Sequence, residues 1–294
     1  MLKNLVYFGS PEFSAQILED IIASKQVNIV GVVTTPDKPL GRKQIFTPSP
    51  VSAFAERHNL PIFKPAKLDD DHLAHIKLLK PDIFLVVSYG RMIPEAWLGA
   101  PSIGTFNLHF SLLPKYRGAL CISEAIKNGD TETGVTLMVM DNLMDHGSII
   151  SQTKVAIDID DNVAQLTTKL TQAGMEIIRH KLPEICAQNY SSTPQNETAA
   201  TYTPSHKTIS HASAFIPYAK ITDSLAGVDA KVIHDLIRSN NPEPGAWTSL
   251  PDKTEIKLIK TSIVNDRLVI DTVQLPSKNP ISWKQFLSGH PLHF

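Results

Sequence analysis

Five short, predominantly apolar runs punctuate the first half of the chain: Leu5–Phe8, Ile29–Thr34, Ile83–Ser88, Gly104–His109 and Gly134–Met140. Each has the length of a strand, and none shows the strict alternation of a strand with one wet face. A continuous apolar strand is buried on both faces, which is the habit of parallel sheets sandwiched between helices. The segments between the runs supply the helices. Ser10-Pro11-Glu12 reads as a helix start, with Ser10 as N-cap and Pro11 in the first turn. Phe13, Ile17 and Ile21 follow as an apolar stripe, supported by Leu18 and Ile22. Between Asp161 and Cys186, residues Val163, Leu166, Leu170, Ala173 and Ile177 recur at helical spacing. The pattern predicts an α/β fold: a Rossmann-like, mostly parallel sheet with helices on both faces.

The second half changes character. Gln188 to Pro204 is polar and without periodicity, and reads as a linker. Beyond it lie one short helix, Asp229 to Ser239, and short strands of which Ile256–Ile259 and Leu268–Val273 are clearest. This portion is expected to form a small OB-like β-barrel. The organisation is therefore 1–188, a catalytic domain; 189–208, a linker; and 209–294, a C-terminal domain. A length of 294 residues and 42% apolar content suffice for one large core or two ordinary ones.

Charge and cysteine usage exclude several classes. The formal net charge is −1, and residues 209–294 carry nine Lys/Arg against eight Asp/Glu. A nucleic-acid partner would thus be held by a local patch rather than a global field. Cys121 and Cys186 are the only cysteines, which makes neither a metal framework nor a disulfide scaffold. No leader is evident ahead of Leu5, and no run approaches the roughly 18 apolar residues of a membrane span. A cytoplasmic protein with reduced thiols, no metal and no membrane partner is the expectation. Gly9 ends the first strand as in a dinucleotide-binding turn, but Gly9-Ser10-Pro11-Glu12-Phe13-Ser14 lacks the glycines that admit pyrophosphate.

The chemistry concentrates between Phe106 and Gly118. Asn107 and His109 are two apart on a strand, so they share a face. An amide donor there suits a developing oxyanion, and an imidazole suits proton transfer from an attacking amine. A carboxylate to order the imidazole is available in the loop Met140–Gly147, where Asp141 and Asp145 compete. Asp141 directly follows a strand and suits a turn cap, while Asp145 lies deeper in the loop. Strand ends are where ligands gather in open parallel sheets. The bland reading makes the Asn and His two satisfied polar groups at a loop mouth. His58, His72, His75 and His234 have no partner pattern and read as surface or helix positions.

Asn107-Leu108-His109, Ser111-Leu112-Leu113-Pro114 and Arg117-Gly118, with Asp145 downstream, resemble the signature of the formyltransferases that use 10-formyltetrahydrofolate. Thr35–Lys43 with Pro48-Ser49-Pro50-Val51 is similar to the loop by which one branch of that family meets the acceptor end of methionyl-tRNA. Asn241–Trp247 and Ile281–Lys284 resemble that branch's C-terminal domain. The resemblance runs in order over essentially the whole chain. It implies a formyl transfer from 10-formyltetrahydrofolate to the amine of initiator methionyl-tRNA, by a monomer that needs no metal. It implies that Asn107 stabilises the oxyanion, that His109 assists it and moves a proton, and that Asp145 orders the site and helps protonate the departing folate nitrogen. Ser111, Leu112, Leu113 and Pro114 match the folate-binding segment. Tyr89, Gly90 and Arg91, with Met140, Asp141 and Asn142, are implied to line the pterin pocket. Lys38, Arg42 and Lys43 are the cationic set for tRNA phosphates. Phe110 stands where the family usually has Gly; its ring either crowds the pocket or points into the core. His146 replaces a common Thr and adds a titratable group. The rival readings are a sugar-nucleotide amine formyltransferase and a non-catalytic folate- or RNA-binding derivative.

Overall fold

The computed structural model describes residues 1–41 and 43–290. The chain divides into two compact units that are interleaved along the sequence. The first comprises Met1–Gly118, Gly134–Val155 and Thr168–Tyr202; the second comprises Ala119–Thr133, Ala156–Thr167 and the residues from Thr203 onward.

In chain order the strands of the first half are β1 (Lys3–Gly9), β2 (Val27–Val33), β3 (Lys38–Leu40), β4 (Ile45–Thr47), β5 (Ile62–Phe63), β6 (Ile83–Val87), β7 (Gly104–His109), β8 (Glu132–Val139) and β9 (Ile149–Ala156). Seven of them build one sheet in the order β5-β2-β1-β6-β7-β8-β9. The pairs from β5 through β7 are parallel, and β7–β8 is antiparallel. β1 is an interior strand between β2 and β6, and Leu5, Val6, Tyr7 and Phe8 are completely buried. That double-sided burial is what the unbroken apolar run predicted. One core layer gathers Val6, Phe8, Phe84, Val86, Tyr89 and Trp97.

Two local expectations are corrected at the first turn. The helix runs Glu12–Ser24 with Pro11 as N-cap, and no side chain caps it. The Ser10 hydroxyl instead donates to the Tyr89 carbonyl at 3.2 Å. Gly9 is explained by packing: a Cβ there would lie 2.0 Å from Ser14 Oγ and 3.1 Å from the Val87 carbonyl oxygen. β9 was not legible in the sequence because Ser151, Gln152, Thr153 and Lys154 break any apolar run on this edge strand. β3 and β4 form a separate antiparallel hairpin, with Lys38 opposite Thr47 and Leu40 opposite Ile45.

In the second unit, β10 (Trp247–Ser249), β11 (Glu255–Val264), β12 (Arg267–Gln274) and β13 (Ile281–Ser282) form a four-stranded antiparallel sheet in that order. The helix Ala230–Ser239 supplies Ile233 and Ile237 to its core, beside Leu258, Leu268, Val273 and Phe286. Buried polar contacts bind the insertion 156–167 to this helix. The Arg238 guanidinium donates to the Asp161 carbonyl at 2.8 Å, and His234 Nε2 donates to the Ile159 carbonyl at 2.8 Å.

Among the described residues, no helix is long and apolar enough to cross a membrane.

Candidate active site

β7 sits between parallel β6 and antiparallel β8, so its carboxyl end opens where the sheet changes sense. Asn107 and His109 lie on the same face of this strand, 8% and 7% exposed. Phe106 and Leu108, on the alternate positions, are fully packed. Just past the strand, the Phe110 ring is buried edge-on against Phe13, with centroids 4.9 Å apart. Its ring therefore belongs to the core layer under the first helix.

The loop after β8 carries Asp145 to this face. Its Oδ1 accepts a hydrogen bond from Asn107 Nδ2 at 3.3 Å. Its Oδ2 accepts one from the Gly118 amide at 2.7 Å and stands 3.7 Å from His109 Nδ1. The other imidazole nitrogen, Nε2, is 2.9 Å from the Tyr116 carbonyl, which can only accept, so Nε2 carries a proton. Nδ1 is left facing the carboxylate, and a proton arriving there meets a charged acceptor. The competition between the two aspartates is resolved by geometry. Asp141 Oδ1 accepts from the Leu143 amide at 3.0 Å, and its Oδ2 lies 2.6 Å from His146 Nδ1. Asp141 thus caps its own turn and holds His146, while Asp145 reaches Asn107 and His109.

The turn Ser111–Pro114 is pinned from below. The Ser111 hydroxyl donates to the Lys115 carbonyl at 2.6 Å. The Thr136 hydroxyl donates to the Ser111 carbonyl at 2.6 Å, and Gln152 Nε2 donates to the Leu113 carbonyl at 2.9 Å. Ser111 and Leu113 are buried, while Leu112 and Pro114 are half-exposed. Across the sheet, Tyr89 is buried edge-on to Phe8, whereas Gly90 and Arg91 are exposed. The Arg91 guanidinium donates to the Pro65 and Ala66 carbonyls at 2.9 and 2.6 Å. The Met140 amide donates to the Thr105 carbonyl at 2.8 Å, and Asn142 is exposed at the loop mouth.

Composition marked the stretch 188–204 as a polar linker and not as part of the site. Its portion 195–202 packs onto the site. Arg117, 0% exposed, directs five N–H bonds at three of its side chains: Gln195, Glu197 and the Tyr202 hydroxyl. The Glu197 hydrogen bonds push the guanidinium further toward its charged form and outweigh burial, which opposes the charge. Reciprocally, Arg117 holds the Glu197 carboxyl below its ordinary range. The Thr201 hydroxyl accepts from the Tyr116 amide at 2.8 Å, and the Thr201 carbonyl accepts from the Arg117 amide at 2.8 Å. The sequence signal for this network was Arg117 itself, the second cation, after Lys115, in the turn that follows β7.

The hairpin β3–β4 presents exposed Lys38 and Lys43; Arg42 lies outside the described residues. The same hairpin exposes Leu40, Ile45 and Phe46 to 58%, 61% and 72%. Its approach is anchored by Lys64, which bonds to Asp37 at 2.8 Å and Glu56 at 3.4 Å.

A mostly parallel α/β sheet with an Asn–His–Asp cluster at the carboxyl end of a central strand defines the class. Residues 3–182 match the formyl transferase domain and residues 228–267 match the formyl transferase C-terminal domain. The chain belongs to the formyl transferase family. A methionyl-tRNA formyltransferase of Staphylococcus epidermidis is 36% identical over 267 residues, covering 90% of this chain and 82% of the relative. One from Staphylococcus aureus is 32% identical over 305 residues, covering 98% and 96%. Among solved structures, an N-formyltransferase from Helicobacter canadensis in complex with folinic acid and dTDP-3-aminofucose matches with TM-score 0.66 at 23% identity, over 94% of this chain and 95% of that one. A 4-N formyltransferase from Francisella tularensis matches with TM-score 0.67 at 20% identity, over 89% and 99%. These two share the fold.

Proposed function

We propose that the chain transfers the formyl group of 10-formyltetrahydrofolate to the amino group of initiator methionyl-tRNA, in the cytoplasm and as a monomer. The observation that carries this reading is the meeting of Asn107, His109 and Asp145 at one strand end, in a chain whose relatives are methionyl-tRNA formyltransferases. The folate supplies an activated formyl carbon. The residues present fit such a donor. The Ser111–Pro114 turn is pinned by hydrogen bonds, with two half-exposed side chains beside the trio; residues 89–91 follow β6, the parallel neighbour of β7, and residues 140–142 open the loop that carries Asp145.

The chain's own groups have distinct tasks. Asn107 retains a second amide N–H beyond the one given to Asp145, and directs it at the oxygen that gains charge when the amine attacks. His109 sits beside it and takes or shares a proton at Nδ1, while the Tyr116 carbonyl holds Nε2–H in place. Asp145 stabilises the imidazolium and orders both partners through its two oxygens. In the complete transfer a carbon–nitrogen bond forms to the acceptor amine and the one to the donor breaks. The amine's proton leaves through this cluster and returns to the departing nitrogen.

The division of labour follows. Residues 1–188 carry the catalysis, and the C-terminal portion from 209 binds tRNA. The cationic set Lys38, Arg42 and Lys43, of which Lys38 and Lys43 are exposed on the β3–β4 hairpin, meets the phosphates of the acceptor end.

The test is to supply 10-formyltetrahydrofolate with charged initiator tRNA, and separately with an amino-sugar nucleotide. Formyl-methionyl-tRNA is the expected product. Transfer to the sugar alone overturns the acceptor assignment, and folate binding without either product overturns the enzymatic one.

A further inference from the structure

Asp145 is held from two directions by one dipeptide. The Gly118 amide donates to its carboxylate at 2.7 Å. Arg117, the preceding residue, reaches the same loop indirectly, through Gln195. The Gln195 carboxamide oxygen accepts from Arg117 Nε at 3.2 Å and from Nη2 at 2.8 Å. Its Nε2 donates to the main-chain carbonyls of Asp145 at 2.9 Å and Gly147 at 2.8 Å. Two acceptor positions and two donor hydrogens are the full capacity of a carboxamide. The orientation of the amide is therefore dictated by its partners: the oxygen faces a cation and the nitrogen faces two carbonyls.

The loop needs such a hold. Asp145 adopts φ +49°, a left-handed conformation that is uncommon for a non-glycine residue although Asp tolerates it better than most. Gly147 is wedged against β8, where a Cβ would lie 1.7 Å from the Val139 carbonyl oxygen. Between that wedge and the Asn107 contact, the Asp145 main chain has Gln195 as its tether.

We infer that Gln195 is a positioning residue for the transfer reaction: it fixes the main chain of Asp145 and Gly147 against the buried Arg117, and so sets the carboxylate that faces His109. This inference rests on the trio being the catalytic centre. It assigns a role in the chemistry to a residue of the polar segment that joins the two halves of the chain. A displacement of a reacting group by about 1 Å costs on the order of 100-fold in rate.

Two substitutions separate positioning from simple cohesion. Gln195→Glu keeps an oxygen for Arg117 but has no donor for the two carbonyls; Gln195→Ala loses both sides. The expected result for Gln195→Glu is a fall in kcat of roughly 10- to 100-fold, with KM for both substrates within about two-fold of wild type. Amide hydrogen exchange across residues 145–147 is expected to accelerate in both variants, while the melting temperature of Gln195→Glu stays within a few degrees. Gln195→Glu with wild-type kcat, whatever its exchange, overturns the inference. If the wild-type chain forms no formyl-methionyl-tRNA, the acceptor assignment has failed by itself. The exchange of residues 145–147 then decides the tether: faster in Gln195→Glu supports it, and unchanged refutes it.

Discussion

The strand-end cup and the β3–β4 hairpin belong to the same compact unit and are built on opposite principles. In the cup, the polar groups around the trio are tied down. Arg117 commits five N–H donors to three partners, and Ser111, Thr136, Gln152 and Gln195 hold main-chain carbonyls. In the hairpin, Leu40, Ile45 and Phe46 lie exposed beside Lys38 and Lys43. Chemistry at a formyl carbon demands donors held within a fraction of an ångström, which saturation of hydrogen bonds provides. Contact with a polyanion asks only for reachable charge and apolar surface, for which an ordered cradle is unnecessary. The difference teaches that the two halves of the proposed reaction, catalysis and capture, should fail separately.

The largest effect is expected in the cup. Asn107→Ala should lower kcat by about 10²–10³-fold, the usual loss for one oxyanion donor, in a single-turnover formylation assay. Next comes Arg117→Met, which strips the 190–202 segment of its buried anchor. Chemical denaturation should report a loss of roughly 1.5–3 kcal/mol, the worth of hydrogen bonds to a charged group. In the hairpin, Phe46→Ser should change stability by no more than about 0.5 kcal/mol, because the ring is 72% exposed, yet weaken tRNA binding. The Lys38→Ala/Lys43→Ala pair should flatten the logarithmic salt dependence of tRNA binding by roughly 0.7–0.9 for each phosphate that is no longer neutralised. Folate affinity should be untouched by any hairpin change.

A milder prediction concerns pH. Burial pushes His234 below its ordinary range, against a raising contribution from its hydrogen bond to the Ile159 carbonyl. Arg238 opposes its protonation, while Asp235 and Asp160 favour it. A group whose folded pKa is depressed binds its proton first in the unfolded chain. The second unit should therefore lose stability as pH falls below about 6.5, down to the depressed folded value, and stay level above. His234→Gln should remove that slope in thermal melts. The Glu197–Arg117 brace titrates in another window: its contribution is whole above the ordinary carboxylate pKa and is lost as pH falls from there toward the depressed folded value. Melting the two units against pH thus sharpens the contrast between them.

The readable and unreadable parts of this chain divide along the same line. The five apolar runs announced the sheet because burial on both faces demands unbroken hydrophobicity, and β1 and β6 are as buried as that implies. Asn107 and His109 were legible because the two-residue period of a strand places them together. Asp145 was favoured over Asp141 by its place deeper in the loop and by the family resemblance; the coordinates add that Asp145 reaches Asn107 on β7 while Asp141 caps its own turn. Gln195 and Glu197 were illegible for a physical reason. Their partner Arg117 is some eighty residues distant, and long-range hydrogen bonds leave no periodic trace. Polar composition predicts solvent, and here it meant a buried guanidinium's counterparts. The edge strand β9 and the interleaving of residues 119–133 and 156–167 with the C-terminal sheet went unread for the same want of pattern.

The central claim is that the cup performs the transfer and the hairpin captures the acceptor. Steady-state kcat and KM for methionyl-tRNA, measured side by side on His109→Gln and on the Lys38→Ala/Lys43→Ala pair, test it most directly. His109→Gln is expected to lose at least about 10²-fold in kcat with KM nearly unmoved, and the lysine pair to raise KM with kcat nearly unmoved. Wild-type kcat in His109→Gln would contradict it.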